Sequence, residues 1–145
     1  MQTMTKREWW AFASAGTRTG KLAVVRADGT PHVTPIWFML DETASGDDLV
    51  FTTMGNSLKA KAFGRNPRFS LCVDDDRPPF SYVQFTAEAT LHFDQVETLR
   101  WATAIGGRYM GEDKSEDYGR RNSVPEEALV RARITKVVAY SGIAD

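Results

Sequence analysis

The stretch from Gly20 to Val73 limits the fold more than any other part of the chain. It reads GKLAVVRADGTPHVTPIWFML, crosses a polar step, and continues as DDLVFTTMGNSLKAKAFGRNPRFSLCV. In the first half apolar and polar residues alternate on either side of Asp28-Gly29, the two-residue turn of a β-hairpin. Its strands are expected over residues 22–27 and 32–40. Pro31 and Pro35 lie in the second, and because proline cannot donate to a ladder, Pro35 marks an edge or a bulge where backbone is re-aimed at a ligand. The polar run DETASGDD, residues 41–48, reads as a mobile surface loop. A strand over 49–53 then feeds a short helix over 57–65, stopped by Asn66-Pro67. That helix opens near Asn56-Ser57 and carries Lys59, Lys61 and Arg65, so a strand end meets a cationic helix N-terminus, a place to hold an anion.

The flanking segments complete a mainly β chain. Thr5 and Glu8 fit a capping box that starts a helix with Trp9, Phe12 and Ala13 on one face. Strands are expected over 68–74, over 80–93 with Tyr82, Gln84, Thr86, Glu88 and Thr90 on one face, and over 129–140. A helix over 94–110 has its own cap in Asp94 and Glu97, with Leu99, Ala102 and Ile105 at core spacing. No periodicity assigns the polar segment 111–122. Six short strands joined by tight turns, with helices between them, point to a small antiparallel barrel with peripheral helices. A chain of 145 residues suits one such domain over 1–145.

Composition narrows the function. The 42% hydrophobic and 26% charged residues describe a globular chain. Its formal net charge of −1, from 18 basic and 19 acidic residues, speaks against nucleic acid or an anionic membrane as partner. No apolar run approaches the ~20 residues of a membrane span, and the N-terminus lacks a signal-peptide core, so a soluble cytoplasmic protein is expected. Cys72 is the only cysteine and sits in an apolar run, a structural thiol by that setting. With two histidines and no paired spacing, no metal site is expected.

Lys59, Lys61 and the Ser57 hydroxyl either grip a phosphate at the helix N-terminus or lie on a solvated amphipathic helix with Leu58 and Ala62 inward. Thr52 and Thr53 either assist the same anion or are ordinary strand threonines. His32, Val33, Thr34, Pro35, Ile36 and Trp37 would present backbone groups and an aromatic face to a planar heterocycle if Pro35 bends the strand toward a cleft; otherwise His32 is a surface residue and Trp37 a core one. The chain has no GxSxG, HExxH, GxGxxG after a strand, or Walker A sequence. A cofactor that carries its own chemistry asks the protein only for binding and orientation.

The motifs DGTPHVTPIWF and KAKAFGRNPR, with the apolar strand that follows, resemble the flavin/deazaflavin oxidoreductase superfamily, the split β-barrels related to pyridoxamine-phosphate oxidase. The chain is most similar to the deazaflavin (coenzyme F420)-dependent reductases of the B subgroup, typical of actinobacteria. The resemblance implies a split β-barrel of six or more antiparallel strands and a homodimer with cofactor clefts at the subunit interface. It implies that residues 32–37 line the deazaflavin ring and that Thr52, Thr53, Ser57 and Lys59 hold its phosphate, with Lys61 near the phosphate or the polyglutamate tail. Phe80, Tyr82, Arg108 and Tyr109 would border the cleft, some from the partner chain. The expected activity is hydride transfer from reduced F420 to an electron-poor small molecule such as an enone, quinone or tetrapyrrole. The alternatives are an FMN-dependent oxidoreductase of the same fold and a non-catalytic F420 carrier. The C-terminal run ARITKVVAYSGIAD lacks the arginine-rich substrate-binding end of true pyridoxamine-phosphate oxidases, which disfavours vitamin B6 oxidation.

Overall fold

Two consecutive residues, Trp37 and Phe38, join the opposite edges of one antiparallel sheet, and that link dictates its shape. The computed structural model describes residues 1–145. In chain order it has β1 (Gln2–Thr3), α1 (Lys6–Ser14), β2 (Gly20–Val25), β3 (Pro31–Ile36), β4 (Met39–Thr43), β5 (Gly46–Met54), α2 (Leu58–Arg65), β6 (Arg68–Asp75), β7 (Ser81–His92), α3 (Gln95–Met110), α4 (Ser115–Arg121) and β8 (Glu127–Ser141). The strands lie in the order β3-β2-β6-β7-β8-β5-β4, with the short β1 pairing β8. In a flat sheet β3 and β4 would stand about 29 Å apart at ~4.8 Å per neighbour. The step from Ile36 to Met39 reaches at most about 10 Å. The sheet therefore curls until its edges meet, leaving an unpaired seam between β3 and β4: a split barrel.

The curl encloses the core. Leu22, Phe38, Leu49, Phe51, Leu71, Val73, Val83, Phe85 and Val130 point inward and are essentially inaccessible. Phe51, Phe63 and Phe69 pack around one another with ring centroids 5.3–6.2 Å apart. The Thr5–Glu8 capping box forms and starts α1, which lays Trp9 edge-on against Phe85 at 5.5 Å.

Four expectations change. The Asp28-Gly29 connection is not a two-residue turn: β2 and β3 stop pairing at Val25 and Pro31, and the Gly29 N–H donates to the Arg26 carbonyl at 2.9 Å. Residues 32–40 are not one strand: pairing with β2 ends at Ile36, and pairing with β5 begins at Met39. Residues 41–48 are not a loop but the facing ends of β4 and β5, closed by a turn in which Thr43 Oγ1 donates to the Gly46 carbonyl at 2.7 Å. Their carboxylates hid the strand, because Asp41 and Asp48 answer Arg131 and Arg133 of β8 instead of water. Leu99 is 43% exposed, and the buried face of α3 is Thr98, Trp101, Ala102 and Ile105. This face covers Val50 and Leu129 on the outer side of the barrel.

The unassigned segment 111–122 forms a 3-10 turn over Glu112–Lys114 and then α4, which packs on α3 through glycines. A Cβ on Gly106 would meet Tyr118 Cβ at 2.6 Å, and one on Gly119 would collide with Thr103. Gly64 in α2 faces open space. Gly119→Ala should therefore cost about 1–3 kcal/mol by overpacking, whereas Gly64→Ala should stabilise by about 0.5–1 kcal/mol. Urea unfolding of both variants reads the opposite signs.

Candidate cofactor site

The seam between β3 and β4 is fastened from α3. Arg108 donates to the carbonyls of Phe38 (2.6 Å), Ala13 (2.8 Å), Gly16 (3.0 Å) and Arg18 (3.5 Å). The Tyr109 hydroxyl donates to the Arg18 carbonyl at 2.8 Å and accepts from the Phe38 N–H at 3.3 Å. Burial lowers the Arg108 pKa and raises that of Tyr109. The polar atoms of both residues are thus spent on backbone. What Tyr109 offers the site is its ring, which stacks on Trp37 at 5.3 Å and 5°. Tyr118 of α4 meets the same indole at 5.6 Å.

Trp37, so held, forms one wall of a pocket of about 310 Å³. Pro35, Ile36 and Thr52 line it from the strands, and Ala102 and Ile105 line it from α3. Arg121, Asn122 and Glu127 close it from α4 and the start of β8. The volume lies at the small end of the range for ligand sites. A larger hollow of about 460 Å³ near Arg18 and Asp74–Arg77 is lined largely by charged groups. There Asp75 is paired with both Arg18 and Arg77.

Beside Thr52, Thr53 turns the other way and is buried, its Oγ1 2.8 Å from Ser57 Oγ. Ser57 is the N-cap of α2 and accepts from the Ala60 N–H at 3.1 Å. The first intrahelical bond is Lys61 N–H to the Ser57 carbonyl, so the N–H groups of Leu58 and Lys59 point out of the helix end. Lys59 is half-buried and Lys61 exposed, and neither makes an ion pair or a side-chain hydrogen bond. Leu58 is 39% exposed, so the inward face of α2 is Ala60, Ala62 and Phe63 rather than Leu58 and Ala62. Lys61 flanks a hollow of about 290 Å³ shared with Arg26 and Arg65.

The remaining expected residues fall elsewhere. His32 lies on the edge strand with its Nδ1 2.9 Å from the Arg26 guanidinium, and since arginine only donates, that nitrogen accepts. Val33 is 60% exposed and does not line the pocket. Thr34 Oγ1 is buried without a hydrogen-bond partner. Phe80 and Tyr82 stand at the far end of β7. Tyr82 pairs Tyr140, whereas His92, about 33 Å of extended strand away, pairs the Leu129 that also pairs Thr52. Within this chain they do not meet the pocket. The pocket also holds residues that sequence reasoning missed: Arg121, Asn122 and Glu127. The only hint of Glu127 was a carboxylate opening an apolar strand. No group of three or more His, Cys, Asp and Glu side chains is arranged to hold a metal ion.

Residues 7–140 match the model of the pyridoxamine 5'-phosphate oxidase family, and the chain belongs to that family. It is 38% identical over 56 residues to a 5a,11a-dehydrotetracycline/5a,11a-dehydrooxytetracycline reductase of Streptomyces rimosus. That match spans 39% of each chain. Among solved structures it is similar to the conserved hypothetical protein Rv2991 from Mycobacterium tuberculosis, at 24% identity and a TM-score of 0.80, over 96% of this chain and 86% of that one. It is also similar to an F420 reductase at 23% identity and a TM-score of 0.67, over 88% of this chain and 94% of that one. The family match marks an oxidoreductase-type fold, and the solved structures share that fold. No helix is long and apolar enough to cross a membrane.

Arg108→Ala would strand carbonyls at the seam and should lower stability by about 2–4 kcal/mol. Arg108→Lys should recover only part of that, because one ammonium cannot span the acceptors a guanidinium reaches. Guanidinium chloride denaturation of the two variants checks the order.

Proposed function

We propose that this chain is a deazaflavin-dependent reductase, transferring hydride from reduced coenzyme F420 to an electron-poor organic acceptor such as an enone, quinone or tetrapyrrole. The observation that carries the reading is the adjacency of the Trp37–Thr52 pocket to an N-terminal helix end with two free lysines. A planar ring fits between Pro35, Ile36 and Trp37, and its phosphate fits the Leu58 and Lys59 N–H groups with the Lys59 ammonium, where dipole and point charge add. Thr53 and Ser57 brace that helix end. The hollow of Lys61, Arg26 and Arg65 suits an anionic tail longer than that of FMN. The substrates in the name of the Streptomyces rimosus relative are dehydro compounds, and saturating a carbon–carbon double bond is the reaction expected here.

The same reading makes the protein a homodimer with its cofactor at the subunit interface. Phe80 is 41% exposed and remote from Ser57, so it and Tyr82 reach a cleft only as a partner's residues. When bound, the cofactor supplies the two-electron chemistry. The chain positions the ring, neutralises the phosphate and keeps one wall of the site apolar.

Fluorescence titration of the purified protein tests the reading. F420 should bind at least tenfold, about 1.4 kcal/mol, tighter than FMN. Lys59→Ala should weaken F420 binding by about 1.5–3 kcal/mol with melting temperature unchanged. The affinity of the parent should fall as salt rises. Equal or tighter FMN binding would move the assignment to an FMN oxidoreductase. Tight F420 binding without turnover of any enone or quinone would make the chain a carrier. Intact folding with unaltered affinity in Lys59→Ala would move the phosphate to Lys61.

A further inference from the structure

Glu127 is the feature of the pocket that this reading leaves unused. The barrel buries two carboxylates, and they are treated in opposite ways. Asp48, 6% exposed, is held by Arg131 at 3.3 Å and Arg133 at 2.8 Å. Glu127, 8% exposed, has no guanidinium or ammonium partner and looks into the pocket beside Thr52. Ionising a carboxyl in such a place, with no counter-charge beside it, is disfavoured relative to water. Burial pushes the Glu127 pKa up, and the Thr52 hydroxyl offsets only part of that rise. Of the elements around it, α3 presents the neutral Ala102 and Ile105, the β3–β4 link presents Ile36 and Trp37, and β5 presents Thr52. Arg121 of α4 is the one charged neighbour, and its guanidinium is exposed and lies over the Tyr118 ring at 5.3 Å. A carboxylate kept for packing alone would have been served by an apolar side chain of similar size.

We propose that Glu127 is the proton donor of the site, delivering its carboxyl proton to the acceptor as hydride arrives on the opposite end of the reduced bond. This rests on the reductase reading. For a conjugated enone, hydride forms a C–H bond at the β-carbon and the π electrons move toward the carbonyl oxygen. The Glu127 O–H bond breaks, its proton adds to the enolate, and the carboxylate regains a proton from water. The acceptor gains a hydride, two electrons and one hydrogen nucleus, from the reduced deazaflavin and a second hydrogen as the proton from the protein.

The test has a readout that needs neither cofactor nor turnover. Infrared difference spectroscopy of the ligand-free protein across pH should show a protonated carboxyl that ionises above the ordinary ~4.3 of glutamate. Glu127→Gln should erase that band. In turnover of an enone with reduced F420, the wild-type kcat should fall as pH rises through that same pKa, because the acid form is the active one. Glu127→Gln should lower kcat on the order of 100-fold, leave KM and cofactor affinity nearly unchanged, and lose the alkaline fall. A carboxyl that ionises near 4.3, or a Gln variant with full kcat and the parental pH profile, overturns the proposal while leaving the reductase reading intact. If FMN supports turnover and F420 does not, the cofactor assignment fails and the donor is judged by the same profile in the FMN reaction. If the Gln variant does not fold, coincidence of the spectroscopic pKa and the kinetic limb in the wild type decides. No turnover with either cofactor overturns both.

Discussion

The link from Ile36 to Met39 governs the rest of the molecule. Because two residues join opposite edges of the sheet, the strands must curl, and because β3 and β4 do not pair, the backbone at the seam needs other partners. Arg108 and Tyr109 supply them from the end of α3, reaching carbonyls before β2 and at Phe38. This one set of hydrogen bonds closes the barrel, docks the end of α3 beside the seam, and leaves the Tyr109 ring flat against Trp37. The pocket is a by-product of that closure. It occupies the angle between the seam, the outer face of β5 and β8, and the α3–α4 pair.

Charge is distributed around the pocket with a clear division. At one side the end of α2 offers outward N–H groups, a half-buried lysine and an exposed one, with Thr53 and Ser57 locked together behind them. On the inner side the β3–β4 link and α3 give apolar walls, and the polar lining is Thr52, Arg121, Asn122 and Glu127. In the proposed reading an anionic tail would lie at the first region and a flat conjugated ring in the second. Asp48 shows what this barrel does with a buried carboxylate whose role is structural: it supplies two arginines. The contrast with Glu127 is the reason for assigning the latter to chemistry.

Local rules made much of the fold legible. The hairpin around Asp28 and Gly29, the caps at Thr5, Ser57 and Asp94, and the alternation along β7 all act within a few residues, and each forms close to where the pattern placed it, the hairpin with a longer connection than the expected two-residue turn. The seam was not legible, because the apolar pattern runs unbroken through Ile36, Trp37 and Phe38 while the pairing partner changes. The β4–β5 hairpin was hidden by acidic residues whose arginine partners lie some ninety positions away. Helix α4 depends on Gly106 and Gly119 permitting close approach, which no periodicity reports. Of the expected site residues, Pro35, Ile36, Trp37 and Thr52 share the pocket, and Ser57 and Lys59 stand at the adjoining helix end. Arg108 was a cleft residue only by the family resemblance, and which atoms its donors reach depends on the tertiary fold. Glu127 gave almost no signal, since its importance lies in the absence of a partner.

A crystal structure of the protein with F420 bound tests the account most directly. The account places the ring between Trp37 and Thr52 with the Glu127 carboxyl facing the substrate side, the phosphate at the α2 N-terminus within hydrogen-bond distance of Lys59, and Phe80 or Tyr82 of a second copy over the cleft. A phosphate seated away from α2, or a ring outside the Trp37 pocket, would contradict it.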